Sequence, residues 1–193
     1  MLLNSRRSQS FPTPLSSKGG REDLPRKDSL EKSYRSPQKT IVVLGIGNIL
    51  LSDEGVGVHV ANELFRMSLP EHVSVVEGGT DGFRLLNVIT EADRLIVVDA
   101  VRGRSEPGSI YRFDLGDVKS CPSGFKTSVH QIGILEVIDL SGLIGKTPYT
   151  TIIGIEPKSL EMGMELSPEI REKIPRIIEL VLAEVGRVTR KGD

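Results

Sequence analysis

Cysteine is nearly missing: Cys121 is the only one in 193 residues. A single thiol can build neither an internal disulfide framework nor a cysteine-based zinc site within one chain. Long apolar runs are missing too. Stretches such as Ile177–Ala183 are too short, and too charged at their edges, to span a bilayer, so no membrane insertion is expected. Arg6 and Arg7 are not followed by an apolar core, which excludes a secretory signal. Net charge is −1 overall but uneven. Residues 1–40 carry nine Lys/Arg against four Asp/Glu, and the remainder carries sixteen against twenty-two, about −6. An acidic body lacks the clustered cations that nucleic acid requires, so nucleic acid is not an expected ligand.

Three catalytic or binding signatures are absent or broken. The stretch VVLGIGNILLSDEGVGV (Val42–Val58) places Gly45 and Gly47 at a strand–helix turn, as a dinucleotide fingerprint would. Leu50 occupies the third glycine position, and seven residues separate Gly47 from Gly55, so a pyrophosphate would lose its tight cradle. The P-loop pattern G-x-x-x-x-G-K-[ST] does not occur. Neither does the G-x-S-x-G elbow of serine hydrolases. Cys121 precedes Pro122 in a loop with no base nearby in sequence, and reads as a bystander.

What is present alternates strand and helix. Residues 1–38 are rich in Ser, Pro, Lys and Arg without apolar period, and are expected to be a disordered tail. An organelle transit peptide is the alternative, against which stand Glu22, Asp23, Asp28 and Glu31. A domain is expected over 39–190. TIVVLGI, VSVVEG, RLIVVDA and TTIIGIE are β-branched runs of the kind that form buried strands. GSIYRFDL alternates and reads as an edge strand. Helices are expected from about Glu54 to Met67, from Thr80 or Asp81 through Val88, from His130 to Leu140, and from Pro168 to Val188. Ser52 or Asp53 can cap the first, and Pro175 should kink or divide the last after Ile174. The expected fold is a single-domain, three-layer α/β/α structure with a mostly parallel, twisted sheet of about five strands.

In such sheets ligands bind beyond the carboxyl ends of the strands, where strand order reverses. Glu54 follows the first strand, Glu77 ends the second, Asp99 ends the third and Glu156 follows the last. With strand order 2-1-3, Glu54 and Asp99 flank one crevice, and paired carboxylates there need a cation or a shared proton. Each also has a plainer explanation: a helix dipole favours Glu54, and Asp is a common turn residue at Asp99. Of three histidines, His59 and His72 read as surface side chains, whereas His130 opens a helix after a polar loop. Two carboxylates and an imidazole can hold a first-row divalent metal with positions left open. Hydrolysis through an activated water fits this inventory best.

Five blocks, in order, resemble the nickel-iron hydrogenase maturation endopeptidases: VLGIGNILLSDEGVGV, EGGTDGFRLL (Glu77–Leu86), DRLIVVDAV (Asp93–Val101), SVHQIGILEVI (Ser128–Ile138) and GIEPKSLEMGMELSP (Gly154–Pro168). Together they cover about Ile41 to Leu182. The resemblance implies an endopeptidase that removes a short C-terminal extension from the hydrogenase large subunit precursor, with nickel already in the precursor as the recognition signal. The family's metal-contacting positions fall on Glu54, Asp99 and His130. Its D-G-G-T block falls on Glu77, Gly78, Gly79 and Thr80, where the acid is one methylene longer. That block is expected to bind substrate. For the attack on the peptide bond two versions stay open: the nickel polarises the scissile carbonyl or a water, or Asp99 or Glu77 acts as general base. Gly45 and Gly47 are expected to let the backbone and an incoming substrate segment come close. The protein is further expected to be a cytoplasmic monomer whose nickel comes with the substrate and is held weakly or not at all by the free chain. The alternatives are a checkpoint protein that binds the nickel-loaded subunit without cutting it, and an autonomous metallohydrolase.

Overall fold

The segment Ile41–Ile46, β1, is buried at every residue, as its unbroken apolar run requires of a central parallel strand. The computed structural model describes residues 39–80, 82–120, 126–127 and 129–190, with backbone alone at 82–83, 118–120, 126–127, 129–133 and 190. The basic segment 1–38 and Asp81 lie outside the described residues.

After β1 come a 3-10 turn, Ser52–Gly55, and α1, Val56–Leu64. Then follow β2 (Val73–Gly79), a 3-10 turn (Gly82–Leu85), α2 (Leu86–Glu91) and β3 (Arg94–Arg102). The second half holds β4 (Ile110–Asp114), α3 (Leu115–Ser120), β5 (Lys126–Thr127), α4 (Val129–Ile144), β6 (Tyr149–Ile155), α5 (Pro168–Arg171) and α6 (Ile174–Arg190). Strand order is β2-β1-β3-β6-β4, with the two-residue β5 pairing antiparallel to the end of β3. The β1–β2, β1–β3 and β3–β6 pairs are parallel, and β4 runs antiparallel to β6 at the edge. The expected architecture therefore holds, including the edge position of the alternating strand. Chain order reverses at β1, so the crevice for a ligand opens where β1 and β3 end.

Each face of the sheet carries its own core. On one, Val43, Ile96, Val98 and Ile153 pack against Val56, Val60 and Leu64 of α1 and Ile177, Val181 and Val185 of α6. On the other, Leu44, Leu95, Val97 and Ile152 meet Ile89 of α2 and Ile134, Val137 and Ile138 of α4. Among the described residues no helix is long and apolar enough to cross a membrane.

Two local expectations are corrected. The last helix divides before Ile174, not after it, because Pro175 lacks a donor that the first turn of α6 does not use. The start of α1 has no side-chain cap from Ser52 or Asp53; Asp53 is employed elsewhere, as described below.

At the end of the sheet away from the crevice, Arg112 forks onto Glu184 at 3.0 and 3.1 Å, and Arg187 reaches the same carboxylate at 3.1 Å. Burial alone would raise the Glu184 carboxyl, but the Arg112 hydrogen bonds and charge, aided by Arg187, hold it below the ordinary glutamate range. A lowered carboxyl stabilises the fold above the unfolded value, about 4.3, and loses that contribution as pH falls through the folded value. Glu184→Gln is thus expected to cost about 1 kcal/mol at pH 7, a figure kept small because Arg112 is partly solvated. In urea titrations the gap from wild type should close as pH drops below 4.

Candidate active site

The turn that carries Glu54 is fixed by glycine on both sides. A Cβ at Gly45 would stand 2.1 Å from the Gly57 carbonyl oxygen, and one at Gly57 would stand 2.2 Å from Val98 O and 2.3 Å from Ile46 O. Only bare backbone lets α1 lie this close to β1 and β3. Gly57 thus performs the close-packing job of the missing third glycine, seven residues late. Gly47, with φ +132°, would collide through a Cβ with Glu54 O at 1.8 Å. Gly45 and Gly47 hence admit the protein's own helix and turn, the close backbone approach expected of them.

Between Gly47 and Gly57 the chain is held under strain. Ser52 takes φ 45°, a left-handed value uncommon outside glycine. Its N–H donates to Gly163 O at 2.7 Å and its hydroxyl to Glu161 O at 3.0 Å. Next to it, Asp53 is fully buried. Its carboxylate accepts from the N–H groups of Lys158, Ser159 and Ser167 at 2.9, 2.9 and 2.7 Å, and from the Ser167 hydroxyl at 2.9 Å. Four donors compensate the buried charge. Asp53 is a positioning residue that ties the segment after β6 to the turn bearing Glu54. Sequence reading took it for a helix cap. No local signal could have corrected this, since its partners lie 105 to 114 residues away.

Glu54 follows, 6% exposed, in a turn that touches β3. Asp99 is fully buried in β3, where its Oδ1 accepts the Ala100 N–H at 2.8 Å. Register sets Gly45 beside Val98, so Asp99 lies level with the last residue of β1. Both residues therefore stand where β1 and β3 end, at the strand-order reversal. His130 sits in the first turn of α4, on the sheet face to which Asp99 also belongs by alternation with Leu95 and Val97; its side chain lies outside what is described. Among the described residues no three His, Cys, Asp or Glu side chains form a metal-holding group.

The second block divides. Glu77 is exposed and pairs with Gly45. It alternates with Val73 and Val75, which belong to the α1–α6 side, so it leaves the sheet on the face opposite Asp99. Glu77 and Asp99 are not brought together. Gly78 turns inward, where a Cβ would crowd Leu44 and Ile46 at 2.8 Å. Gly79, with φ +52°, receives the Gly47 N–H on its carbonyl at 3.0 Å. Thr80 is exposed. Glu156, which follows the last strand, is engaged by a loop: its Oε2 accepts from Gly103 N–H, Ser105 N–H and the Tyr111 hydroxyl at 2.7, 3.3 and 2.6 Å. This loop clamp helps raise the Tyr111 hydroxyl above its ordinary value, after the larger effect of burial. His72 stands at the surface with Nε2 3.4 Å from the Thr189 hydroxyl. His59 is not solvated as expected: its Nε2 is buried and has no hydrogen-bond partner.

The hydrogenase maturation protease family model matches residues 58–184, a span that includes Glu77, Asp99 and His130 and starts just after Glu54. The hydrogenase expression/formation protein HupD of Bradyrhizobium diazoefficiens is 42% identical over 157 residues, covering 78% of this chain and 82% of that protein. The hydrogenase 2 maturation protease of Escherichia coli is 37% identical over 146 residues, covering 74% and 88%. Among solved structures, the hydrogenase maturating endopeptidase HybD from Escherichia coli superposes with a TM-score of 0.70 at 35% identity, covering 76% of this chain and 92% of that one. A HybD from Thermococcus kodakarensis gives 0.65 at 26% identity, covering 74% and 97%. With two buried carboxylates at the carboxyl edge of a sheet of this topology, the chain belongs to the hydrogenase maturation protease family.

Proposed function

We propose that this chain is an endopeptidase that removes a C-terminal extension from the nickel-loaded large subunit precursor of a nickel-iron hydrogenase. The observation that supports this is the burial of two acidic residues, Glu54 and Asp99, at the place where β1 and β3 end. Carboxylate and imidazole donors suit a first-row divalent ion, so Glu54, Asp99 and His130 are assigned to contact the nickel that the precursor brings. Hydrolysis adds a water oxygen to the scissile carbonyl carbon and delivers a proton to the leaving amine. Asp99 is the group we assign to take that proton from the water and pass it on. Glu77, exposed and on the other sheet face, is assigned to the rim with Thr80, where it meets the incoming chain. The protein acts in this scheme as a cytoplasmic monomer and carries little metal of its own.

The test is to mix the purified chain with nickel-loaded and with nickel-free precursor and weigh the products by mass spectrometry. The expected result is a mass loss from the precursor's C-terminus with nickel and none without. Equal cutting of both forms would remove nickel from recognition. Tight binding without mass loss would make the chain a checkpoint protein. Stoichiometric zinc surviving purification would favour an autonomous metallohydrolase.

A further inference from the structure

Two irregular segments are stitched together beside Glu54. Leu51 and Gly163 form an isolated parallel bridge. The Gly163 N–H donates to Leu50 O at 3.0 Å and the Ser52 N–H to Gly163 O at 2.7 Å. The Asp53 carboxylate anchors the same segment at Lys158, Ser159 and Ser167. What this rigid pairing presents to solvent is apolar: Ile49, Leu50, Met162 and Met164 are 38, 53, 88 and 61% exposed. A fold that buries most of its large aliphatic side chains leaves four of them bare on one loop pair next to its crevice. Contiguous exposed apolar surface of this kind marks a binding surface, and methionine adapts to partners of varied shape.

The surface continues. Immediately after Met164, Glu165 and Leu166 enter the wall of a cleft of about 390 Å³, which His59, Glu63, Arg171 and Ile174 also line. Elsewhere on the same side chain, Nε2 of His59 is buried without a hydrogen-bond partner. Glu161 stands exposed on the second segment, Glu63 and Glu165 outnumber Arg171 in the lining of the cleft, and residues 41–193 carry twenty-two acids against sixteen bases. An acidic occupant would be repelled, while an apolar one carrying basic side chains is complementary.

Resting on the endopeptidase reading above, we propose that the ridge of Leu50, Met162 and Met164, with the His59 cleft beyond it, docks an apolar, basic segment of the hydrogenase precursor and so leads its chain to the crevice. The loops are already ordered by Ser52 and Asp53, so docking freezes little additional motion. The ridge acts on binding and leaves the hydrolytic step to Glu54 and Asp99.

The test uses the full chain and nickel-loaded precursor. The triple variant Leu50→Ser/Met162→Ser/Met164→Ser changes only exposed side chains, and its thermal melt should overlay wild type. Its dissociation constant, read by biolayer interferometry, is expected to rise at least about 10-fold, and Glu161→Lys is expected to weaken binding about threefold at low salt. Cutting at saturating precursor should be retained by the triple variant, as loss of uniform binding raises KM alone. Unchanged affinity in both variants overturns the docking surface, and so does a wild-type chain that binds no precursor. Wild type that dimerises at micromolar concentration, with the triple variant monomeric, also overturns it by giving the ridge to a second copy. The two readings fail separately. Ridge-dependent binding without cutting removes the endopeptidase reading and keeps the surface. Cutting with the same KM in wild type and triple variant removes the surface and keeps the endopeptidase.

Discussion

Glu54→Gln is expected to slow processing of nickel-loaded precursor by on the order of 100-fold while leaving the fold in place. The amide has the shape of the carboxylate, so the 3-10 turn Ser52–Gly55 and its packing under Gly47 need not move. What is lost is a negative charge at a site 6% exposed, where low polarity amplifies its interaction with a cation. A neutral amide oxygen is a weaker donor to a divalent ion, and its N–H₂ must point at something that accepts. Single-turnover assays with nickel-loaded precursor, read by mass spectrometry, give the rate directly. A normal rate would show that Glu54 is no required contact. The split between constants is informative as well. If Glu54 serves only to hold the nickel of the bound precursor, affinity falls while the rate at saturation survives. If it also places the scissile bond against Asp99, the saturated rate falls with it. Asp99→Asn should depress the saturated rate in either case, since it removes the group assigned to the proton.

The sequence alone was enough to find β1, β3 and β6 because each is a β-branched run buried on both faces, and a run of that kind has few alternatives to a central strand. β4 was legible for the opposite reason: its alternation fits an edge. Glu54 and Asp99 could be paired because strand order 2-1-3 brings two chain-distant strand ends to one place, and that order holds. Gly57 was missed because its meaning is tertiary: a glycine inside a helical pattern is unremarked until a strand carbonyl stands 2.2 Å from where its Cβ would be. The two-residue β5 and the six-residue α3 are too short to show a period. Glu77 was placed by its nearness to a strand end. Alternation decides instead, since moving one residue along a strand moves a side chain to the other face. His59 was read from the apolar stripe of α1 alone, whereas Leu166 and Ile174 from a later segment line a cleft with it.

Asp53→Asn is expected to destabilise the protein by about 3 kcal/mol, more than most single changes, because it breaks a fully satisfied buried charge cluster. An amide can accept on one side only. Asp53 receives three donors on Oδ2, from Lys158, Ser159 and the Ser167 hydroxyl, and one on Oδ1, from the Ser167 N–H. Either orientation of the asparagine sets its N–H₂ against at least one backbone N–H, so a favourable bond becomes a repulsive contact and a buried donor goes unmet. Ser167→Ala removes the hydroxyl donor alone and should cost only about 1 kcal/mol. The two substitutions should not add, since both act on one carboxylate. Urea titration measures each cost. Hydrogen exchange locates it: amides over 158–167 should lose protection in Asp53→Asn while those of β1 and β3 keep theirs, because the clamp holds a surface segment and the sheet is packed independently of it. If Asp53→Asn lies within 1 kcal/mol of wild type with exchange unchanged, the segment is held by the Leu51–Gly163 bridge and Ser52 without help from the carboxylate. With the expected loss, the same variant should also bind precursor more weakly than its residual fold stability explains, since Met162 and Met164 ride on the segment that Asp53 fixes.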